Sequence, residues 1–146
     1  MDTLNFEKML FKSQFSNYDM ELGVTIINGR PLADIVEPFE REVAHMRGED
    51  YSELGYIYQL AHILYKQLIR KNSQYSEDEV ALMICSGCYE EGCWALLVTI
   101  EETETEVIWT GFRNNHRSDP EYNSFPILRF EKNNYIEALL QLKETA

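Results

Sequence analysis

The chain is short of positive charge: 13 Lys and Arg stand against 25 Asp and Glu, a formal net charge of −12. Nucleic-acid binding rests on cations that neutralise phosphates, so this balance argues against a nucleic-acid role. The same shortage argues against docking on an anionic membrane surface. Cysteine is scarce and odd in number, and three residues cannot form a complete set of disulfides within one chain, which fits a reducing cytoplasm. No segment approaches the roughly 20 apolar residues that a membrane-crossing helix needs. Met1 to Phe15 alternate charged and apolar side chains and lack the apolar block and cleavage site of a signal peptide. The expectation is a soluble, cytoplasmic protein. Internal repeats, low-complexity tracts and Pro/Gly/Ser-rich linkers are missing too, so residues 1–146 read as a single domain. A phosphate-cradling glycine loop, Gly-x-Ser-x-Gly and His-Glu-x-x-His are all absent.

Core material, in contrast, is ample. Apolar residues make up 45 % of the chain, with 2 Trp, 9 Tyr and 7 Phe. A chain of 146 residues with this content can fold without help from a metal or crosslinks. Its acidic surface serves solubility, and it would steer a basic protein partner towards it.

Local patterning predicts the elements. Leu4, Met9, Leu10 and Phe15 suggest a short helix or a loose arm over residues 4–15. Glu21 to Ile27 read as a strand, and Asn28-Gly29 is a strong hairpin signal, with Arg30 to Val36 as the return strand and Pro38 at its end. Phe39, Val43 and Met46 suggest a short helix over residues 39–47. Ile57, Ala61, Leu64 and Leu68 recur at helical spacing and predict a helix over Ser52 to Lys71. Val80 to Ile84, Trp94 to Glu101, Glu106 to Phe112 and Pro126 to Phe130 read as strands, the middle two joined by a polar turn over residues 102–105. Asn134 is placed to cap a last helix from Tyr135 to Lys143, with Ile136, Leu139, Leu140 and Leu142 apolar. The fold class is α+β: a mostly antiparallel sheet with two or three helices packed on it.

The stretch Cys85-Ser-Gly-Cys88-Tyr-Glu-Glu-Gly-Cys93-Trp94 carries the residues best suited to chemistry. Its spacings let thiolates converge on one centre, with Gly87 and Gly92 allowing tight turns. A hairpin centred on residues 102–105 sets Trp94 opposite Arg113 and Cys93 opposite Asn114, which brings His116 to the edge that carries the cysteines. Cys85, Cys88, Cys93 and His116 are therefore candidate zinc ligands, zinc being the candidate cofactor. Buried free cysteines acting as small apolar fillers explain the same residues, as does a nucleophilic Cys88 with Arg113, His116 or Arg117 beside it. Arg113 and Arg117 could contact an anion, or pair internally with Asp119 or Glu121. His45 and His62 read as surface residues of helices, and Glu101, Glu102, Glu104 and Glu106 as a solvated hairpin tip.

Gly92-Cys93-Trp94, Val107-Ile-Trp109, Phe112-Arg113 and His116-Arg117, with Phe130, Tyr135, Ala138 and Leu139 downstream, resemble a family of uncharacterised bacterial proteins. That family shows a Cys/Gly-rich loop ending in Gly-Cys-Trp, followed by a Phe…His-Arg motif. Ile27-Asn28-Gly29-Arg30-Pro31-Leu32 and Tyr51 to Leu54 also fit. The chain departs from the pattern at Ala95, where the family usually has Pro, and in the placement of Cys85. The resemblance implies no particular activity. The absence of a catalytic signature and the charge favour a non-enzymatic protein-binding or regulatory module, of an immunity or inhibitor-like kind. The alternative is a zinc- or thiol-dependent enzyme using Cys88, Cys93 and His116.

Overall fold

A computed structural model describes residues 1–12, 19–46, 56–70, 78–85, 95–114 and 125–144. Strands β1 (Leu4–Lys12), β2 (Asp19–Ile27) and β3 (Arg30–Pro31) form one antiparallel sheet. Strands β4 (Tyr56–Tyr58), β5 (Glu79–Cys85), β6 (Ala95–Glu102), β7 (Glu106–Asn114) and β8 (Leu128–Glu131) form a second, antiparallel and in chain order, curled as a half-barrel. Helices α1 (Leu32–Met46), α2 (Ala61–Arg70) and α3 (Lys132–Glu144) complete an α+β fold. Among the described residues, no helix is long and apolar enough to cross a membrane.

Backbone bridges tie the small sheet to both edges of the large one. Gly23 N–H donates to the Gln59 carbonyl (2.9 Å), next to a bridge between Leu22 and Leu60 beside β4. At the other edge Asp2 bridges Phe130 of β8, and its N–H donates to the Arg129 carbonyl (2.8 Å). The Asp2 carboxylate accepts from Arg129 N–H (2.9 Å) and from the Asn28 side chain (3.0 Å). Burial alone would raise the Asp2 pKa, but these two donors and the N-terminal ammonium outweigh it and hold the carboxyl below its ordinary value.

Residues 4–12 are a strand, not a helix or arm. Leu4 and Phe6 point into the core while Asn5 and Glu7 point out, the period-2 pattern of a half-buried strand. That pattern is obscured because Lys8 takes the next inward-phase position, where its ammonium pairs with Glu21 at 2.8 Å. Beyond Asn28-Gly29, both at positive φ as a tight hairpin turn needs, the return strand is only two residues long. The expected strand over Arg30 to Val36 becomes the start of α1, which buries Leu32, Val36 and Glu40 at helical spacing. Its first turn gains an outside acceptor: Ala33 N–H donates to the Tyr58 hydroxyl (3.0 Å).

The expected helix over residues 52–71 divides. Tyr56–Tyr58 is a strand pairing with β5, Ile57 opposite Ile84, and the helix begins only at Ala61. Residues 51–55 lie outside the described set. The last helix starts earlier than expected, at Lys132, so Asn134 is inside it and does not cap it. Its side-chain oxygen instead accepts the Leu4 N–H (3.2 Å), and Gln141 accepts the Phe6 N–H (3.3 Å). These two amides cover part of the outer edge of β1.

Two bulges shape the large sheet. In β5 an extra residue, Leu82, sits between the pairs Ala81–Leu97 and Met83–Leu96. The Ala81 N–H donates to the side chain of Gln67 on α2 (3.0 Å). In β7 the extra residue falls at Gly111 (φ +62°), between the pairs Thr99–Thr110 and Leu97–Arg113. This bulge flips the alternation, so Phe112 is buried on the same side as Val107 and Trp109. Ala81, Ala95 and Leu97 form a small separate cluster.

The main core lies between the sheets and the helices, with Trp109 fully buried within it. Gly23 of β2 is where α2 and α3 come closest to the sheet. A methyl group there would lie 3.0 Å from Leu142 Cδ1 and from Leu64 Cδ2, and 3.5 Å from Ala61 Cα. Two leucine methyls would have to give way, so Gly23→Ala should lower unfolding free energy by about 1 kcal/mol, at the lower end of overpacking costs. Urea denaturation checks this, and an unchanged or raised midpoint would show that the two leucines shift freely.

Candidate functional site

Three strand ends meet at one end of the large sheet. Cys85 ends β5 opposite Tyr56, Ile84 is paired with Ala95 at the start of β6, and Leu96 is paired with Asn114 at the end of β7. The register differs from the expected one, which set Cys93 opposite Asn114. Thr103 closes a tight turn: its N–H donates to the Glu106 carbonyl (2.9 Å) and its hydroxyl accepts from Glu106 N–H (2.9 Å). This turn shifts the ladder by two residues, and the Gly111 bulge shifts it by one more. Arg113 therefore faces Leu97. Cys88, Cys93, His116 and Arg117 lie outside the described residues, as do Asp119 and Glu121; for Cys85 only the backbone is described. Among the described residues, no group of three or more His, Cys, Asp or Glu is placed to hold a metal ion.

Arg113 is held by an acid that sequence spacing does not single out. Its Nε donates to Glu79 Oε2 (2.7 Å) and its Nη2 to Glu79 Oε1 (3.0 Å), a two-pronged pair reaching across β6. Glu79 is largely buried, whereas Arg113 is half exposed. The guanidinium thus neutralises a carboxylate that the fold has taken out of water, and the pair also locks β5 to β7. His45 and His62 are exposed on α1 and α2, as their helical positions imply.

Another group of charges surrounds Pro38. Arg30, Asp34, Glu37, Pro38 and Arg41 line a depression of about 370 Å³ on α1. Pro38 has no N–H, so the Asp34 carbonyl one turn earlier loses its helical donor. Arg30 Nη2 donates to that carbonyl instead (3.2 Å). Two acids lie between two arginines here, and the chemistry is that of a helix repair, with no excess charge to hold an ion.

The acidic hairpin behaves as expected at its tip. Glu101, Glu102 and Glu104 are exposed, while Glu106 pairs with Arg129 (3.3 Å) and Lys132 lies 3.7 Å from Glu102. Next to it is a feature that sequence reading misplaces. The apolar residues of α3 are too many for one face of a helix: Tyr135, Ala138 and Leu142 are buried, but Ile136 and Leu140 are 49 % and 47 % exposed. The width of the apolar set was the available signal.

Tyr135 links this region to the core and makes stability depend on pH. Burial pushes its hydroxyl well above the ordinary tyrosine range; the bond from Trp109 opposes this, and Glu102 adds to it. The folded form therefore keeps a proton that the unfolded chain releases, so this contribution to stability is complete below pH 10.0 and is lost as pH rises above it. Tyr58 is raised too, first by burial, against the bond from Ala33 and with Asp34 and Glu37 adding to the rise. Tyr135→Phe should flatten the alkaline fall in stability above about pH 10 and lower stability at neutral pH by ~1 kcal/mol, since Trp109 loses its acceptor. Thermal melts at neutral and alkaline pH check both effects; an unchanged alkaline slope would assign the loss to other groups.

Comparison with known protein families, curated proteins and solved structures finds no match.

Proposed function

We propose that this is a non-enzymatic, cytoplasmic protein-binding module of an inhibitor- or immunity-like kind, acting on a basic protein partner. The observation that carries the reading is the net charge of −12. An acidic field of that size speeds encounter with a cationic partner and repels nucleic acid and anionic membranes. Among the described residues, the conspicuous cations are engaged within the fold: Arg113 on Glu79, Arg129 on Glu106, Lys8 on Glu21 and Arg30 on the Asp34 carbonyl. The test is association with partners captured from cell extract, measured against salt. A basic partner whose affinity falls steeply as salt rises, and is kept by Cys88→Ser, supports the reading. Partners that bind independently of salt, or only through an intact Cys88, would overturn it.

A second reading has one observation behind it. The ends of β5, β6 and β7 meet at the sheet edge from which the segments carrying Cys88, Cys93 and His116 depart. Zinc held by Cys85, Cys88, Cys93 and His116 would suit that arrangement, as a structural centre or as an enzyme site with Arg113 or Arg117 near an anionic substrate. Protein purified without chelator or metal-affinity steps should then carry about one zinc per chain, lost in the Cys93→Ser, His116→Ala double variant. Metal-free protein with three titratable thiols in the unfolded chain would remove this reading.

A further inference from the structure

We infer that the outer face of α3, together with the acidic β6–β7 turn at its start, is a docking surface for a cationic amphipathic helix of a partner protein. The inference rests on the protein-binding reading above and gives it a place on the molecule. Ile136 and Leu140 stand one turn apart on the exposed side of α3, flanked by exposed Asn133, Glu137 and, in the last turn, Lys143. On α1, among the side chains described, the exposed positions are Asp34, Pro38, Arg41, Glu42 and His45. On α2 a single exposed isoleucine, Ile69, accompanies exposed His62 and Lys66. Lone exposed apolar residues are ordinary, whereas two at i and i+4 form a ridge that another helix can pack against.

The charge around that ridge selects the occupant. The first turn of α3 is fastened to the hairpin: Lys132 N–H donates to the Thr105 carbonyl (3.0 Å) and its ammonium to the Thr103 carbonyl (3.0 Å). Glu101, Glu102, Glu104 and Glu131 are exposed there, and Glu137 extends the acidic border along the helix. Lys132 and Arg129 lie close to Glu102 and Glu106, which leaves a surplus of carboxylates. A second copy of this chain would bring like charges together, so self-association is disfavoured. A helix with an apolar stripe and a lysine- or arginine-rich flank meets both requirements: apolar anchors in the middle and opposite charge at the rim.

The probe is a labelled synthetic Leu/Lys peptide patterned as an amphipathic helix, with a composition-matched scramble that has no apolar face. Fluorescence anisotropy gives affinity, and melting temperature checks folding. The patterned peptide should bind at least tenfold tighter than the scramble. Ile136→Ser with Leu140→Ser should weaken it about tenfold, while Ile69→Ser on α2 leaves it unchanged. Glu101→Gln with Glu104→Gln should weaken it several-fold and flatten its salt dependence. If the folded α3 variants bind like the unaltered protein while salt still weakens binding, this surface is wrong and the acidic-module reading stands. If neither peptide binds at low salt, the docking surface is overturned. Equal binding of peptide and scramble would reduce the effect to charge alone and overturn the docking surface.

Discussion

Trp109→Ala should lower the free energy of unfolding by about 3–5 kcal/mol, the range for removing a large aromatic from a core. The indole is fully buried. The Phe130 ring meets it edge-on at 5.1 Å and 79°, and the Tyr135 ring at 6.2 Å and 87°. Its Nε1–H donates to the Tyr135 hydroxyl (3.4 Å), so the substitution also strips a bond from a buried phenol. Phe130 lies in the last strand, β8, and Tyr135 near the start of α3, so the cavity would open where the large sheet hands over to the helix. Typical domains hold only ~5–15 kcal/mol in reserve, so this single change should bring the protein close to unfolding at 37 °C. Trp109→Phe, which keeps a ring but loses the donor, should cost roughly half as much. Urea denaturation followed by far-ultraviolet circular dichroism is the suitable measurement, because it does not depend on the removed fluorophore. A loss below about 1 kcal/mol would show that the surrounding rings collapse into the space and that Trp109 does not anchor this junction.

Much of the large sheet was legible because its residues carry their own signal. Val107 and Trp109 recur at period 2 against Glu106, Ile108 and Thr110, Val80 to Ile84 is a short apolar run, and the polar turn between β6 and β7 lies where expected. The errors have physical causes. Ile57 lies in phase with Ala61, Leu64 and Leu68, so a helical period runs unbroken across what is in fact a strand and a helix. Only the ladder to β5 makes Tyr56–Tyr58 extended, and that contact is remote in sequence. In β1, Lys8 at an inward-phase position and the run Met9-Leu10-Phe11 hide the alternation that Leu4 and Phe6 begin. The hairpin register was missed because Thr103 tightens the turn and Gly111 inserts a residue, neither of which hydrophobic pattern reports. Arg113 reads from the sequence as an anion contact or as paired with Asp119 or Glu121; Glu79, which it does meet, lies 34 residues away and two strands distant, and only topology brings it near. The cysteine-rich segment is the strongest chemical signal in the chain, and Cys88 and Cys93 fall outside the described residues.

Pro38→Ala should raise stability by about 2 kcal/mol. In a helix interior proline is ~3 kcal/mol less favourable than alanine, and about 1 kcal/mol of that returns because alanine gives the unfolded chain more freedom. Pro38 is exposed, so its ring contributes little packing that alanine would forfeit. The restored N–H would reach the Asp34 carbonyl, the acceptor that Arg30 now serves from outside the helix. Arg30 and Pro38 should therefore be coupled. Arg30→Met in the native background should cost ~1 kcal/mol, the value of a modest hydrogen bond, and should cost clearly less once residue 38 is alanine. A double-mutant cycle from denaturant midpoints measures that difference. Strict additivity would mean that Arg30 contributes the same with or without a helical donor at residue 38, so its bond does not stand in for the missing N–H. A loss of stability in Pro38→Ala alone would mean that the packing and the restricted unfolded chain that proline gives outweigh the restored helical bond.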